Sequence, residues 1–213
     1  MESNSVYRAE CVGDKYYFLD SQGARVQTPR GNDVFVCSDA FVEDVLDELS
    51  NHQEDLGRPF VLLTYLYSYC DRLAVDPEGD ELRRNLVDAC GEMLVEDAYL
   101  MFRQSAPAAV IVASTMQEMV PEVLEKMDVA ELVAFQCLAV SYESLMLPYY
   151  VYCDVLSEVD GDWSNFSDLL NGFTDDMRSF LVQDEEDTDG DELNAYLSRM
   201  FNSMAKFCAA CCL

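Results

Sequence analysis

Positive charge is what this chain has least of. Thirteen Lys and Arg stand against 41 Asp and Glu in 213 residues, for a formal charge of -28. Such a field repels nucleic acid and anionic membrane at long range, so phosphate binding would need a local basic patch. None is visible, since Arg83 and Arg84 stand alone among acids. Histidine is nearly absent as well: His52 is the single one, in a polar turn and without metal-ligand spacing. The chain also lacks a phosphate-cradling glycine loop, a Gly-x-Ser-x-Gly elbow and a paired zinc motif. Carboxylates are so numerous that no two of them mark an acid/base pair. An enzyme would have to build its site from residues distant in sequence, and the expectation is a non-enzyme with no metal and no cofactor.

The first ten residues, Met-Glu-Ser-Asn-Ser-Val-Tyr-Arg-Ala-Glu, show neither the apolar core of a signal peptide nor an Arg-rich amphipathic presequence, which points to a cytosolic chain. A clean membrane span is missing too. Leu132 to Leu156 comes nearest, but Gln136, Glu143 and Asp154 interrupt it and Pro148 would kink it. A helix apolar nearly all round fits the buried centre of a helical domain better. Cysteine, by contrast, is plentiful: there are nine, an odd number, mostly inside apolar patterns, as expected of buried thiols in a reducing compartment. Cys208-x-x-Cys211 has redox or metal spacing, yet it lies on an apolar helical stripe without a matching second pair, so packing is its expected role. The ending is not a prenylation box, because Ala210 holds the fourth position from the end. The acidic run Gln183 to Glu192 invites a calcium reading, but with Gly190 at loop position six the closing position falls on Tyr196, and a flexible acidic linker is the expectation.

Half of the residues are hydrophobic, enough for one sizeable core or two small ones. Asp20 to Gly23 reads as a turn between two short strands, Thr28 to Asp33 as a second turn, and Val34 to Cys37 as a third strand. Ser38 stands where a helix N-cap belongs, with Asp39 in the first turn, ahead of the amphipathic run Phe41, Val42, Val45, Leu46, Leu49. Helices are predicted over Arg58 to Leu73 and Asp80 to Met93, separated by Asp76-Pro77-Glu78-Gly79. Ala98 to Gln104 has strand character and could return to the N-terminal sheet, and Ser105-Ala106-Pro107 is the natural boundary. Beyond it come a short helix at Pro121, a long central helix over Val129 to Leu156, another over Ser164 to Leu181, and a last helix. In that last helix Leu193, Tyr196, Leu197, Met200, Phe201, Met204, Phe207, Cys208 and Cys211 form one stripe, expected to be core rather than binding surface. The fold class is α+β: a small β-rich N-terminal domain with helices over 1–106, then an all-α C-terminal domain over 107–213.

This order of elements carries a Leu19-Asp20-x-x-Gly23 turn, a Val26-x-Thr28-Pro29 turn, a short apolar strand and an acidic helix. Three further stretches follow in sequence. Arg58 to Leu73 holds Leu63-Thr64-x-Leu66; Leu82 to Pro107 runs Leu-Arg-Arg-Asn-Leu-Val, Val-Glu-Asp and Tyr-Leu-Met-Phe-Arg; and Met127-Asp128 precedes Glu131-Leu132 and Glu143 to Leu147. Together, across roughly residues 7 to 147, they resemble the Atp-twelve family of assembly chaperones for the catalytic head of F-type ATP synthase. Departures are plain: Leu49 stands where the family usually has Trp, the Trp-Asp-Pro segment is missing, and no Trp-Gly accompanies the acidic segment near the C-terminus.

The resemblance implies a chaperone that binds the free α subunit of the ATP synthase head and masks its interface until β replaces it. It implies Asp175, Asp176, Asp184 and Glu185 as counterparts of the family's acidic partner-binding segment. It also favours a bacterial cytoplasmic location, with the mitochondrial matrix as the alternative if a presequence has been removed. The rival from a different class is an acidic scaffold or inhibitor unrelated to ATP synthase, whose binding would collapse with salt. A helical bundle enclosing a small apolar ligand is a third reading, marked by copurifying small molecules.

Overall fold

The computed structural model describes residues 6–77, 79–96, 119–142, 149 and 190–211. It is a mixed α+β structure: a small antiparallel sheet set against helices. The sheet has three strands in the order β1 (Arg8–Val12), β2 (Lys15–Leu19), β3 (Phe35–Val36). Gly13, at φ 68°, holds the first central position of the two-residue β1–β2 loop, where the hairpin turns that match strand twist need positive φ. β1 escaped the sequence reading because Arg8, Glu10, Cys11 and Val12 are exposed, so no apolar alternation marks the strand.

The turn at Asp20 is present. Its carboxylate accepts from the Gln22 and Ala24 amides at 2.8 and 2.9 Å, and Gly23 sits at φ 81°. The strand expected directly after it is a correction. Ala24 to Gln27 makes only isolated bridges, Leu19 to Arg25 and Gln27 to Asp33, and in this run only Val26 is even partly buried. Ser38 caps a 3-10 turn, Asp39–Phe41, by accepting from the Ala40 amide at 3.4 Å. α1 (Val42–Asn51) follows and buries Val45 and Leu49, as its spacing predicts.

α2 (Leu62–Leu73) begins four residues later than predicted. Pro59 disfavours helical backbone at Arg58, and Val61 is extended, at φ -113°. α3 (Asp80–Glu96) runs straight through Gly91. Residues 119–126 are helical, and α4 (Val129–Tyr142) and α5 (Gly190–Cys211) complete the described elements. Asp128 and Glu131 cap α4 reciprocally: each carboxylate accepts the other's amide, at 2.8 and 2.9 Å. Arg83 of α3 donates to the Leu124, Glu125 and Met127 carbonyls, closing the C-terminal end of the 119–126 helix.

The core is one continuous cluster that joins Phe18 and Val36 of the sheet, most of α2, Leu132 to Phe135 of α4 and the stripe of α5. α4 covers the first half of the helix expected over Val129 to Leu156 and buries Leu132, Val133, Ala134 and Phe135 at zero exposure while leaving Val140 exposed; residues 143–148 and 150–156 lie outside the described residues. No described helix is long and apolar enough to cross a membrane. α5 packs on α2 and α4, and Phe207 stacks on Tyr65 at 5.7 Å while meeting Tyr69 edge-on at 5.7 Å. Residues of the expected first and second domains therefore share a core. The boundary at 106/107, the strand expected over 98–104 and the helix expected over 164–181 all lie outside the described residues.

Candidate functional site

The four acidic residues expected to contact a partner, Asp175, Asp176, Asp184 and Glu185, lie outside the described residues, as does the acidic run 183–189. What the structure does describe is how the N-terminal turns are built, and that construction shapes a cleft.

Its keystone is Thr28, only 4 % exposed. The hydroxyl donates to Asp71 of α2 and accepts from the Arg30 and Asn32 amides at 3.3 and 3.2 Å. The Asn32 side chain donates to the same Asp71 oxygen at 2.8 Å, and Gly31, at φ 86°, lets the turn fold back so that its amide reaches the Thr28 carbonyl at 2.9 Å. A threonine in a proline-containing turn is thus locked to a helix 43 residues away. Within α2, Leu63 and Leu66 have no exposure, and Thr64 pins the preceding loop by donating to the Arg58 carbonyl at 2.9 Å and accepting from the Gly57 amide at 3.1 Å.

The turn overhangs a cleft of ≈ 370 Å³ between the Asp20–Pro29 segment, the α1–α2 loop and α2. Tyr7, Gln53 and Tyr67 bring polar groups to it, and Val26, Pro29 and Leu56 bring apolar ones. Gln53 Nε2 donates to the Tyr7 hydroxyl at 3.3 Å. Tyr67 is 9 % exposed, and its hydroxyl has no hydrogen-bond partner among the described residues. Burial, with a smaller contribution from Tyr7, pushes its phenol up to about 12. The charged residues at the rim are already engaged. Arg25 pairs with Asp33 at 2.6 Å and lies 4.0 Å over the Tyr17 ring, and its hydrogen bond holds the Asp33 carboxyl below its usual range.

On the other side of α2, Glu48 of α1 serves as a cap supplied from another helix. Its two oxygens accept from the Leu62 and Leu63 amides at 2.9 and 2.8 Å, where Val61 has no side chain to do so. Burial nonetheless raises the Glu48 pKa, outweighing those bonds. Lys206 of α5 pairs with Asp44 nearby, and the Ser203 hydroxyl donates to the Phe60 carbonyl at 2.7 Å. These contacts seat α5 against α1 and the start of α2.

Among the described residues no group of three or more His, Cys, Asp or Glu is placed to hold a metal ion. Cys70 and Cys90 are buried thiols whose pKa values burial pushes up to about 12 and about 11, so neither is a ready nucleophile. Cys208 and Cys211 lie in the core, in the packing role their stripe predicted. Sequence reasoning missed Tyr7, Gln53 and Tyr67 because they are distant in sequence and carry no motif; the Thr28-Pro29 turn was the one local signal of a built feature there. Comparison with protein families, curated proteins and solved structures yields no match.

Proposed function

We propose that this protein is an assembly chaperone for F-type ATP synthase, holding the newly made α subunit of the catalytic head until the β subunit takes its place. The observation that carries the reading is the interlock between the segments on which the resemblance rests. The Val26-x-Thr28-Pro29 turn is tied by the Thr28–Asp71 hydrogen bond to the helix that carries Leu63-Thr64-x-Leu66, and the Leu19-Asp20-x-x-Gly23 turn lies beside it through the Leu19–Arg25 bridge and the Val26 amide on the Phe18 carbonyl at 2.7 Å. The physical logic is interface masking. A free subunit exposes apolar surface meant for its neighbour, and large exposed apolar patches aggregate. A partner that covers such a patch at modest affinity and then yields protects the subunit without trapping it, and the cycle requires no hydrolysis. Asp175, Asp176, Asp184 and Glu185 remain the proposed acidic contacts, and the bacterial cytoplasm or the mitochondrial matrix is where such a client is found.

Coexpression with the α and β subunits of the same organism, followed by affinity capture and size exclusion at low and moderate salt, tests this. The expected result is a soluble complex with α that persists at moderate salt and is displaced by β. Failure to capture α, under conditions where α alone aggregates, overturns the reading. Capture that collapses with salt would favour the acidic scaffold instead.

A further inference from the structure

We infer that the cleft beneath the Thr28-Pro29 turn is a docking pocket for an uncharged, extended stretch of a partner polypeptide, which bonds through its main chain to the Tyr67 hydroxyl. The partner assignment rests on the chaperone reading, so the occupant is a segment of the ATP synthase α subunit.

Three observations converge on this. The first is the Tyr67 hydroxyl itself. A buried hydroxyl without a hydrogen bond is costly and uncommon; here it belongs to a side chain 9 % exposed that lines a cleft, and it has no partner among the described residues. A phenol can both donate and accept, so a peptide carbonyl or amide satisfies it equally. The second is the lining. Tyrosines, a glutamine amide, Pro29 and Leu56 surround ≈ 370 Å³, near the lower end of the size of ligand pockets. Tyrosine offers a rigid contact surface with few torsions to freeze, and an amide side chain can pair with either main-chain group.

The third is charge. Between residues 6 and 37 four cations, Arg8, Lys15, Arg25 and Arg30, balance four carboxylates, Glu10, Asp14, Asp20 and Asp33, in a chain whose formal charge is -28. Of the residues that line the cleft only Asp20 and Arg25 are charged, one of each sign, so the lining carries no net charge on a strongly acidic protein. At the cleft, Asp20 is taken by two backbone amides and Arg25 by Asp33 and Tyr17. An anionic ligand finds no unengaged cation here, and a cationic one finds only a single carboxylate that already holds two amides. A neutral segment suffers no such mismatch, and a client carrying acidic surface is not repelled here as it would be elsewhere.

The test uses the full chain, coexpressed with the α subunit, in three forms: wild type, Tyr67→Phe and Gln53→Glu. Tyr67→Phe removes the hydroxyl and keeps the ring, and Gln53→Glu puts charge at an exposed rim position. The expected result is α captured by wild type, with Tyr67→Phe about five- to tenfold weaker, the effect of one lost hydrogen bond. Gln53→Glu weakens capture as well, and the urea midpoint of Tyr67→Phe alone stays level or rises, because an unsatisfied buried group has been removed. A lowered midpoint for Tyr67→Phe would mean that the hydroxyl has a structural partner, and it overturns the inference. Equal capture of α by all three proteins overturns the inference while the chaperone reading stands. No capture by wild type overturns the chaperone reading and the proposed occupant with it.

Discussion

At the scale of single residues, the difference between Thr28 and Arg30 shows which polar contacts hold this fold. Both reach Asp71. Thr28 is buried and its hydroxyl takes part in three hydrogen bonds, whereas Arg30 has a side chain 78 % exposed and an ion pair stretched to 3.8 Å. Thr28→Val keeps the branch at Cβ but leaves two amides and a carboxylate oxygen short of a partner inside the protein, which costs about 1–3 kcal/mol. Arg30→Ala removes an exposed pair worth about 0–1 kcal/mol. Urea denaturation of both variants checks the ranking, and a Thr28→Val midpoint equal to that of Arg30→Ala would show that the turn is not locked through its hydroxyl. The sequence made the turn legible, because Thr, Pro, Gly, Asn and Asp in succession have few other uses. It could not reveal Asp71 as the anchor. One carboxylate among 41 acids carries no mark of being partly buried, and only the fold brings it to Thr28.

At the scale of elements, α1, α2, α3 and α5 were legible because each carries an apolar stripe at helical spacing, and the burial of Val45, Leu49, Met200 and Phe207 follows those stripes. The start of α2 was not, because its cap comes from Glu48, fourteen residues upstream of Leu62, and no local pattern predicts a cap supplied by another helix. Glu48→Ala strands two amide donors at a partly buried helix start, with an expected loss of about 1–2 kcal/mol. Glu48→Gln separates the cap from its charge. Burial raises the Glu48 pKa above the ordinary 4.5, so the folded state holds the proton more tightly than the unfolded state does. The resulting contribution to stability is fully present below 4.5 and is lost as pH rises through the folded-state value. Glutamine does not titrate. The advantage of wild type over Glu48→Gln should therefore shrink as pH is raised from about 5 to about 7, a range above the sequence pI of ≈ 4.1 where solubility holds. Paired urea titrations at the two pH values read this directly. An advantage that grows with pH would mean that the backbone amides and Lys206 outweigh burial at this carboxylate.

At the scale of the whole molecule, the question is whether the N-terminal sheet and the last helix answer to one another. Sequence reasoning divides the chain near residue 106 because Ser105-Ala106-Pro107 resembles a linker, a purely local signal. Packing joins what that signal separates: Phe207 of α5 rests on Tyr65 and Tyr69 of α2, Tyr69 lies 6.5 Å from Phe35 of β3, and the Cys37 amide donates to the Ala210 carbonyl at 3.1 Å. Phe207→Ala empties a site with no solvent exposure and should cost about 3–5 kcal/mol, whereas Lys206→Ala, one residue away in an exposed pair, should cost about 0–1 kcal/mol. Native-state hydrogen exchange tells where the loss is felt. If the core is cooperative, Phe207→Ala accelerates exchange at Phe18 in the sheet and at Phe135 in α4 by a similar factor, because their amides open only with the global transition. Faster exchange confined to α5 would instead make that helix a separately unfolding unit.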